Sequence, residues 1–153
     1  MPDLKRFLSA DSLFLSLHAQ EEKAFLEEML EQLKEDPRVS NWEELHDALF
    51  SSLAFTLLSQ GEMSAVLYHG RTSHIRDLLV AMGRSRKGII SEKSATPIHL
   101  IFLIIIPHAL DQEYLRVMGS IARSCSDTKR IEQLLVAPSK EEIIEILTQS
   151  GRE

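Results

Sequence analysis

A single cysteine, Cys125, has no partner within the 153 residues, so an internal disulfide is excluded and a reducing compartment is favoured. Long apolar runs are lacking too. The longest stretch, "LIFLIII" (100–106), is too short to cross a bilayer and is bounded by His99 and Pro107, so it reads as a buried strand. The opening "MPDLKRFLSA" carries charges but no long apolar region, so no signal peptide, no membrane partner and a cytoplasmic location are expected. Basic residues are outnumbered: 17 Lys and Arg face 23 Asp and Glu, a formal net charge of -6, which argues against a general nucleic-acid surface. The one local basic cluster, Arg84, Arg86 and Lys87, reads as a solvated loop. There is no phosphate-cradling glycine loop, no paired-histidine metalloprotease signature and no cysteine cluster, so neither a cofactor nor a metal is expected.

What is present is a regular alternation of elements. "SLFLSLH" (12–18) puts leucines at 13, 15 and 17, the period of a strand. From Ala19 to about Glu35, Phe25, Leu26, Met29, Leu30 and Leu33 recur at helical spacing, and Pro37 ends that helix. Ser40 with Glu43 resembles a capping box opening a second helix to about Leu58, striped by Trp42, Leu45, Leu49, Leu53 and Leu57 and broken at Gly61. Three stretches rich in strand formers follow, at 64–68, 77–83 and 98–106. The last is apolar at nearly every position, as in a central strand covered on both faces. Helices are then expected from Asp111 through Arg123, from Asp127 to about Val136, and from Ser139 to about Leu147. The expectation is one domain over 1–153, an α/β three-layer α/β/α fold with a small mixed sheet, in the order strand, two helices, three strands, three helices.

Six histidines are the main chemical landmarks. His69 and His74 as a zinc pair have a weak spacing and no third ligand nearby. His18, His46 and His99 sit in or beside elements and read as structural. His69 differs because it falls at the carboxyl end of a strand, directly before Gly70, where a rigid support holds the imidazole and the backbone beyond is free to turn away. A neutral imidazole is a nucleophile towards phosphorus, and Arg71 is placed to balance phosphoryl charge. The plainer reading is a turn histidine beside a solvated arginine.

The order of elements, "LYHGR" at His69, Gly70 and Arg71, "TPIHLIFLIIIP", "LDQEYLRVMGSIARSCSD" and "LLVAPSKEEIIEIL" together resemble the mannitol/fructose type of enzyme IIA domain of the bacterial phosphoenolpyruvate-dependent phosphotransferase system. The resemblance runs from about Leu4 to Ser150 and is nearest the nitrogen-regulatory member of that family. It implies a phosphocarrier in which His69, as the catalytic residue, accepts a phosphoryl group from an HPr-like carrier protein, with Gly70, Arg71, Tyr114 and His108 around the phosphate. It also implies a role in nitrogen regulation, exerted on a regulatory target that the resemblance does not name. The chain departs from the family pattern at several places. Leu53 and Ala54 stand where the family carries a phosphate-holding arginine and a glutamate, Tyr68 replaces the proline before the histidine, "TLLSQG" replaces a run of small residues, and Tyr114 replaces a second histidine. A tyrosine hydroxyl can donate a hydrogen bond to phosphate but carries no positive charge at neutral pH. His108 is a candidate substitute for the lost histidine. Three readings stay open: a working phosphocarrier, a non-phosphorylated regulatory module that binds a partner protein or forms a homodimer, and a sensor that uses the former phosphate pocket for an anion.

Overall fold

A computed structural model describes residues 4–59, 61, 64–108 and 111–149. Both ends of the expected domain and Gln60 of the "TLLSQG" run lie outside the described residues. The elements are α1 (Leu4–Phe7), a 3-10 turn (Ala10–Ser12), β1 (Leu13–Phe14), α2 (Glu22–Gln32), α3 (Trp42–Ser52), β2 (Ala54–Ser59), β3 (Ser64–Arg71), β4 (Leu79–Ile89), β5 (Ile98–Ile106), α4 (Asp111–Ser124), α5 (Thr128–Val136) and α6 (Lys140–Gln149). The five strands form one mixed sheet in the order β1-β4-β5-β3-β2. β1 with β4 and β3 with β5 are parallel, while β2 with β3 and β4 with β5 are antiparallel.

Alternation along β5 divides the core in two. Leu100, Phe102, Ile104 and Ile106 face α1, α4, α5 and α6, joined by Ala65 and Leu67 of β3. Ile101, Leu103 and Ile105 face α2 and α3 with Val66 and Tyr68. Every residue of β5 except His99 is buried, and each such large side chain contributes roughly 1.5–3 kcal/mol through the area it removes from water. The expected three-layer α/β/α class is the one observed, with the expected central strand at its middle.

The differences lie at the edges. The helix opened near Ser40 stops at Ser52 and the chain turns into an additional edge strand, β2, so four strands follow α3 rather than the expected three. Leu53 and Leu57 continue the leucine spacing across that break, which is why the periodicity read through it. The cap is one residue later than expected: Asn41 Oδ1 accepts from the Glu44 N–H at 3.2 Å. β1 pairs over only two residues before the chain leaves the sheet, and the Glu28 carboxylate takes the N–H groups of His18 and Ala19, holding the segment that leads into α2. β4 continues to Ile89, so the basic cluster lies in a strand instead of a loop; Arg86 and Lys87 are exposed as expected, while Arg84 is not. Arg84 is only 4% exposed, and its Nη1 donates to the carbonyls of Leu134 and Ala137 at 2.9 Å each, closing the end of α5. The caps expected at Asp127 and Ser139 are present: Asp127 Oδ1 accepts from the Lys129 N–H and Ser139 Oγ from the Glu142 N–H. Among the described residues no helix is long and apolar enough to cross a membrane.

Candidate functional site around His69

β3 carries His69 two residues from its carboxyl end, between Ile104 of β5 and Ala54 of the edge strand β2. Strand alternation places His69 and Arg71 on the same face as Ala65 and Leu67, the face covered by α4. Tyr114, in the first turn of α4, meets them there. Its ring centroid is 6.1 Å from that of His69 at 30°, and the Arg71 guanidinium lies over the same ring at 5.1 Å. Arg71 Nη1 also reaches the Pro107 carbonyl at 3.5 Å, so the proline ending β5 orients the arginine. That carbonyl contact had no signal in the sequence beyond the proline itself. The imidazole is half-buried; burial first, and the Arg71 charge second, hold its pKa below the ordinary histidine range. His69 is therefore neutral at neutral pH, the form with a nucleophilic lone pair.

Gly70 does not turn the chain. The strand runs on through Arg71, and the Thr72 N–H still donates to the Ile106 carbonyl at 3.0 Å. What Gly70 provides is close approach, since a Cβ there would stand 2.7 Å from Leu49 Cδ2 and 3.5 Å from Leu53 Cδ2. The glycine lets the end of α3 lie against β3, which fixes where β2 begins. Ala54, the first residue of β2, is directly opposite His69 in the antiparallel register, with its side chain on the same face. It is exposed and uncharged.

Of the expected site residues, the fold brings together His69, Gly70, Arg71 and Tyr114. His108 is exposed just beyond Pro107, and among the described residues no hydrogen bond, ion pair or ring contact links it to His69. His74 is taken elsewhere: its carbonyl accepts from the Ser40 N–H, and its ring approaches Glu44 at 4.0 Å. Arg76, another basic residue close in sequence, donates to the carbonyls of Pro37 and Val39 and braces the turn before α3. His46 is a structural histidine, clasped by Glu27 at 2.8 Å and stacked between Trp42 and Phe50. Among the described residues no group of three His, Cys, Asp or Glu side chains is arranged to hold a metal ion.

Residues 6–150 match the family described as phosphoenolpyruvate-dependent sugar phosphotransferase system, EIIA 2. The fructose-specific EIIABC component of Bacillus subtilis is 22% identical over 97% of the chain, and the chain spans 24% of that protein's length. The fructose-specific EIIA component of Haloferax volcanii is 29% identical over 53% of the chain and 53% of its own length. In fold the chain is similar to the nitrogen regulatory protein IIA-Ntr of Neisseria meningitidis, with a TM-score of 0.78 and 24% identity over 94% of this chain and 98% of that one. It is also similar to the mannitol enzyme IIA of Escherichia coli, seen in complex with phosphorylated enzyme IIB, with a TM-score of 0.66 and 18% identity over 92% and 96% of the two chains. With the match running over almost all of its residues, and the mixed sheet and its helices in the arrangement of those folds, the chain belongs to the EIIA 2 family of the phosphoenolpyruvate-dependent sugar phosphotransferase system.

Proposed function

We propose that this chain acts as one enzyme IIA-type domain, a regulatory phosphocarrier of the cytoplasm that accepts a phosphoryl group on His69 from an HPr-like carrier protein. The observation that carries the reading is the neutral, half-buried imidazole of His69 beside the Arg71 guanidinium, itself held over the Tyr114 ring. In the transfer, the unprotonated ring nitrogen of His69 attacks phosphorus. The new N–P bond forms as the donor's N–P bond breaks, and the donor imidazole leaves with that electron pair. Such a step needs little covalent help from the protein, so positioning and charge stabilisation supply most of the acceleration. Arg71 offsets charge on the equatorial oxygens, and the Tyr114 hydroxyl serves as a neutral donor. The regulatory assignment is supported by similarity in fold to the Neisseria nitrogen regulatory protein; a protein partner is supported by the Escherichia complex with phosphorylated enzyme IIB.

One observation favours a second reading, a regulatory module that is not phosphorylated: the position directly opposite His69 holds Ala54, and no cation stands there. Incubation with phosphoenolpyruvate, enzyme I and HPr, or their nitrogen-branch counterparts, separates the two by intact mass. The phosphocarrier gains one acid-labile phosphate that is absent in His69→Ala. A wild-type chain that stays unmodified with every donor belongs to the second reading.

A further inference from the structure

The basic cluster Arg84, Arg86 and Lys87 has no part in the chemistry at His69. Val80 of β4 is level with Ile104 and so with His69, and Ser85 lies five residues further on, about 17 Å along the sheet at strand rise. Two irregularities open a cleft at that far end. β1 leaves β4 after the pair Phe14–Gly83, so the segment 15–20 diverges from the strand it had joined. On the other side, β4 carries four residues, 85–88, between the pairs Arg84–Leu100 and Ile89–Ile98, where β5 carries one. Gly88 allows this excursion with φ at +87°, a conformation that costs a side-chain-bearing residue about 1 kcal/mol or more.

The cleft between the two segments has a volume of about 280 Å³, and its walls include His18, Arg84, Ser85, Arg86 and Lys87 but no carboxylate. Its charge is not neutralised locally: none of Arg84, Arg86 and Lys87 forms an ion pair among the described residues, in a chain whose net charge is -6. Glu28, the acid tied to the 15–20 segment, is occupied by the N–H groups of His18 and Ala19. Arg84 is more than nine-tenths buried, and its Nε has no hydrogen-bond partner although Nη1 has two. Arg86 and Lys87 are exposed on the cleft wall beside the buried Arg84, so like charges gather there with no carboxylate among the lining residues, and an anion in the cleft would relieve their repulsion. Ser85 Oγ accepts from the Gly88 N–H at 3.1 Å, which leaves its O–H to donate.

We propose that this cleft binds the phosphoryl dianion of a small phosphate-bearing molecule, with Arg84, Arg86 and Lys87 neutralising it and the Ser85 hydroxyl donating to it. A dianion with three acceptor oxygens matches three cations and a hydroxyl better than a flat carboxylate does. The volume exceeds that of the phosphoryl group, which leaves room for the carbon skeleton of an ester.

The test is an amide-proton and nitrogen NMR titration of the full chain in phosphate-free buffer, with glycerol 3-phosphate, inorganic phosphate and succinate as separate probes. Arg86→Ala/Lys87→Ala is the informative variant, because both side chains are exposed and the caps on α5 are untouched. Expected are saturable shifts at residues 16–20 and 84–88 with a phosphoryl probe, retained in His69→Ala and at least tenfold weaker in the double variant. Tighter binding of the ester than of the free ion identifies a metabolite, and the reverse identifies inorganic phosphate. Shifts that do not saturate, that centre on residues 69–71 and 114, that persist unchanged in the double variant, or that succinate produces equally well would overturn the proposal. Because His69→Ala is one of the arms, failure of the phosphocarrier reading and failure of this one are distinguishable.

Discussion

Arg71 acts on His69 twice. Its guanidinium stands beside the imidazole on one face of β3, where it disfavours the protonated ring, and in the proposed transfer it offsets the phosphoryl charge. Burial is the larger of the two causes that lower the His69 pKa, and Arg71 the smaller, which gives the pH dependence a definite sign. The reactive form is neutral, so the transfer rate is flat at neutral pH and falls as the pH drops through a value below the ordinary histidine range of about 6.5. In Arg71→Gln the inflection moves up towards that ordinary value while burial keeps it from arriving there. A pH–rate profile of single-turnover phosphorylation checks this, and an inflection unmoved by Arg71→Gln would remove Arg71 from the account. At Tyr114, where the family resemblance implies a second histidine, the ring lies under the Arg71 guanidinium.

At the scale of elements, the junction of α3 with β2 sets what stands across from His69. Gly70 admits Leu49 at a distance that a methyl group would occupy, so Gly70→Ala should push α3 outwards and cost about 1–3 kcal/mol in denaturant unfolding, as overpacked cores do. The register of β2 on β3 offers a gain of function. Ala54 is directly opposite His69, with Cβ atoms about 5 Å apart in such a pair, so Ala54→Arg places a cation on the reacting face, one residue after the position where the resemblance sets the family's arginine. It should raise the transfer rate by about tenfold or more, given that one preorganised donor is worth a hundred- to a thousandfold. An unchanged rate in a folded Ala54→Arg would show that this face is not where phosphate sits. The same junction shows what the sequence could and could not disclose. β5 and the amphipathic helices were legible because burial on two faces or one leaves a periodic trace. β2 was not, because an edge strand exposed or half-buried along its length has no alternation to read, and Leu53 and Leu57 prolonged the helical spacing. The meeting of His69, Gly70, Arg71 and Tyr114 was expected from the family resemblance, since no local pattern links position 114 to position 69. Arg84 was hidden for the opposite reason: a basic triplet reads as solvated unless one knows that the carbonyls ending α5 lie against it.

Across the whole molecule, one sheet separates two positively charged features on an acidic chain. His69 and Arg71 stand near the carboxyl ends of β3 and β5, and the cleft lined by Arg84, Arg86 and Lys87 lies at the amino end of β5. β5, buried almost throughout, is the rigid member between them. His69 is proposed to react although Ala54 faces it, because Arg71, held by Tyr114 and the Pro107 carbonyl, supplies the charge. A single-turnover measurement of phosphoryl transfer from a phosphorylated HPr-like carrier to the wild type and to Arg71→Ala, at neutral pH, tests it. The wild type is expected to be phosphorylated on His69, and Arg71→Ala, with its fold intact, to be slower by about a hundred- to a thousandfold. Equal rates for the two proteins, or no phosphate on the wild type, would contradict it.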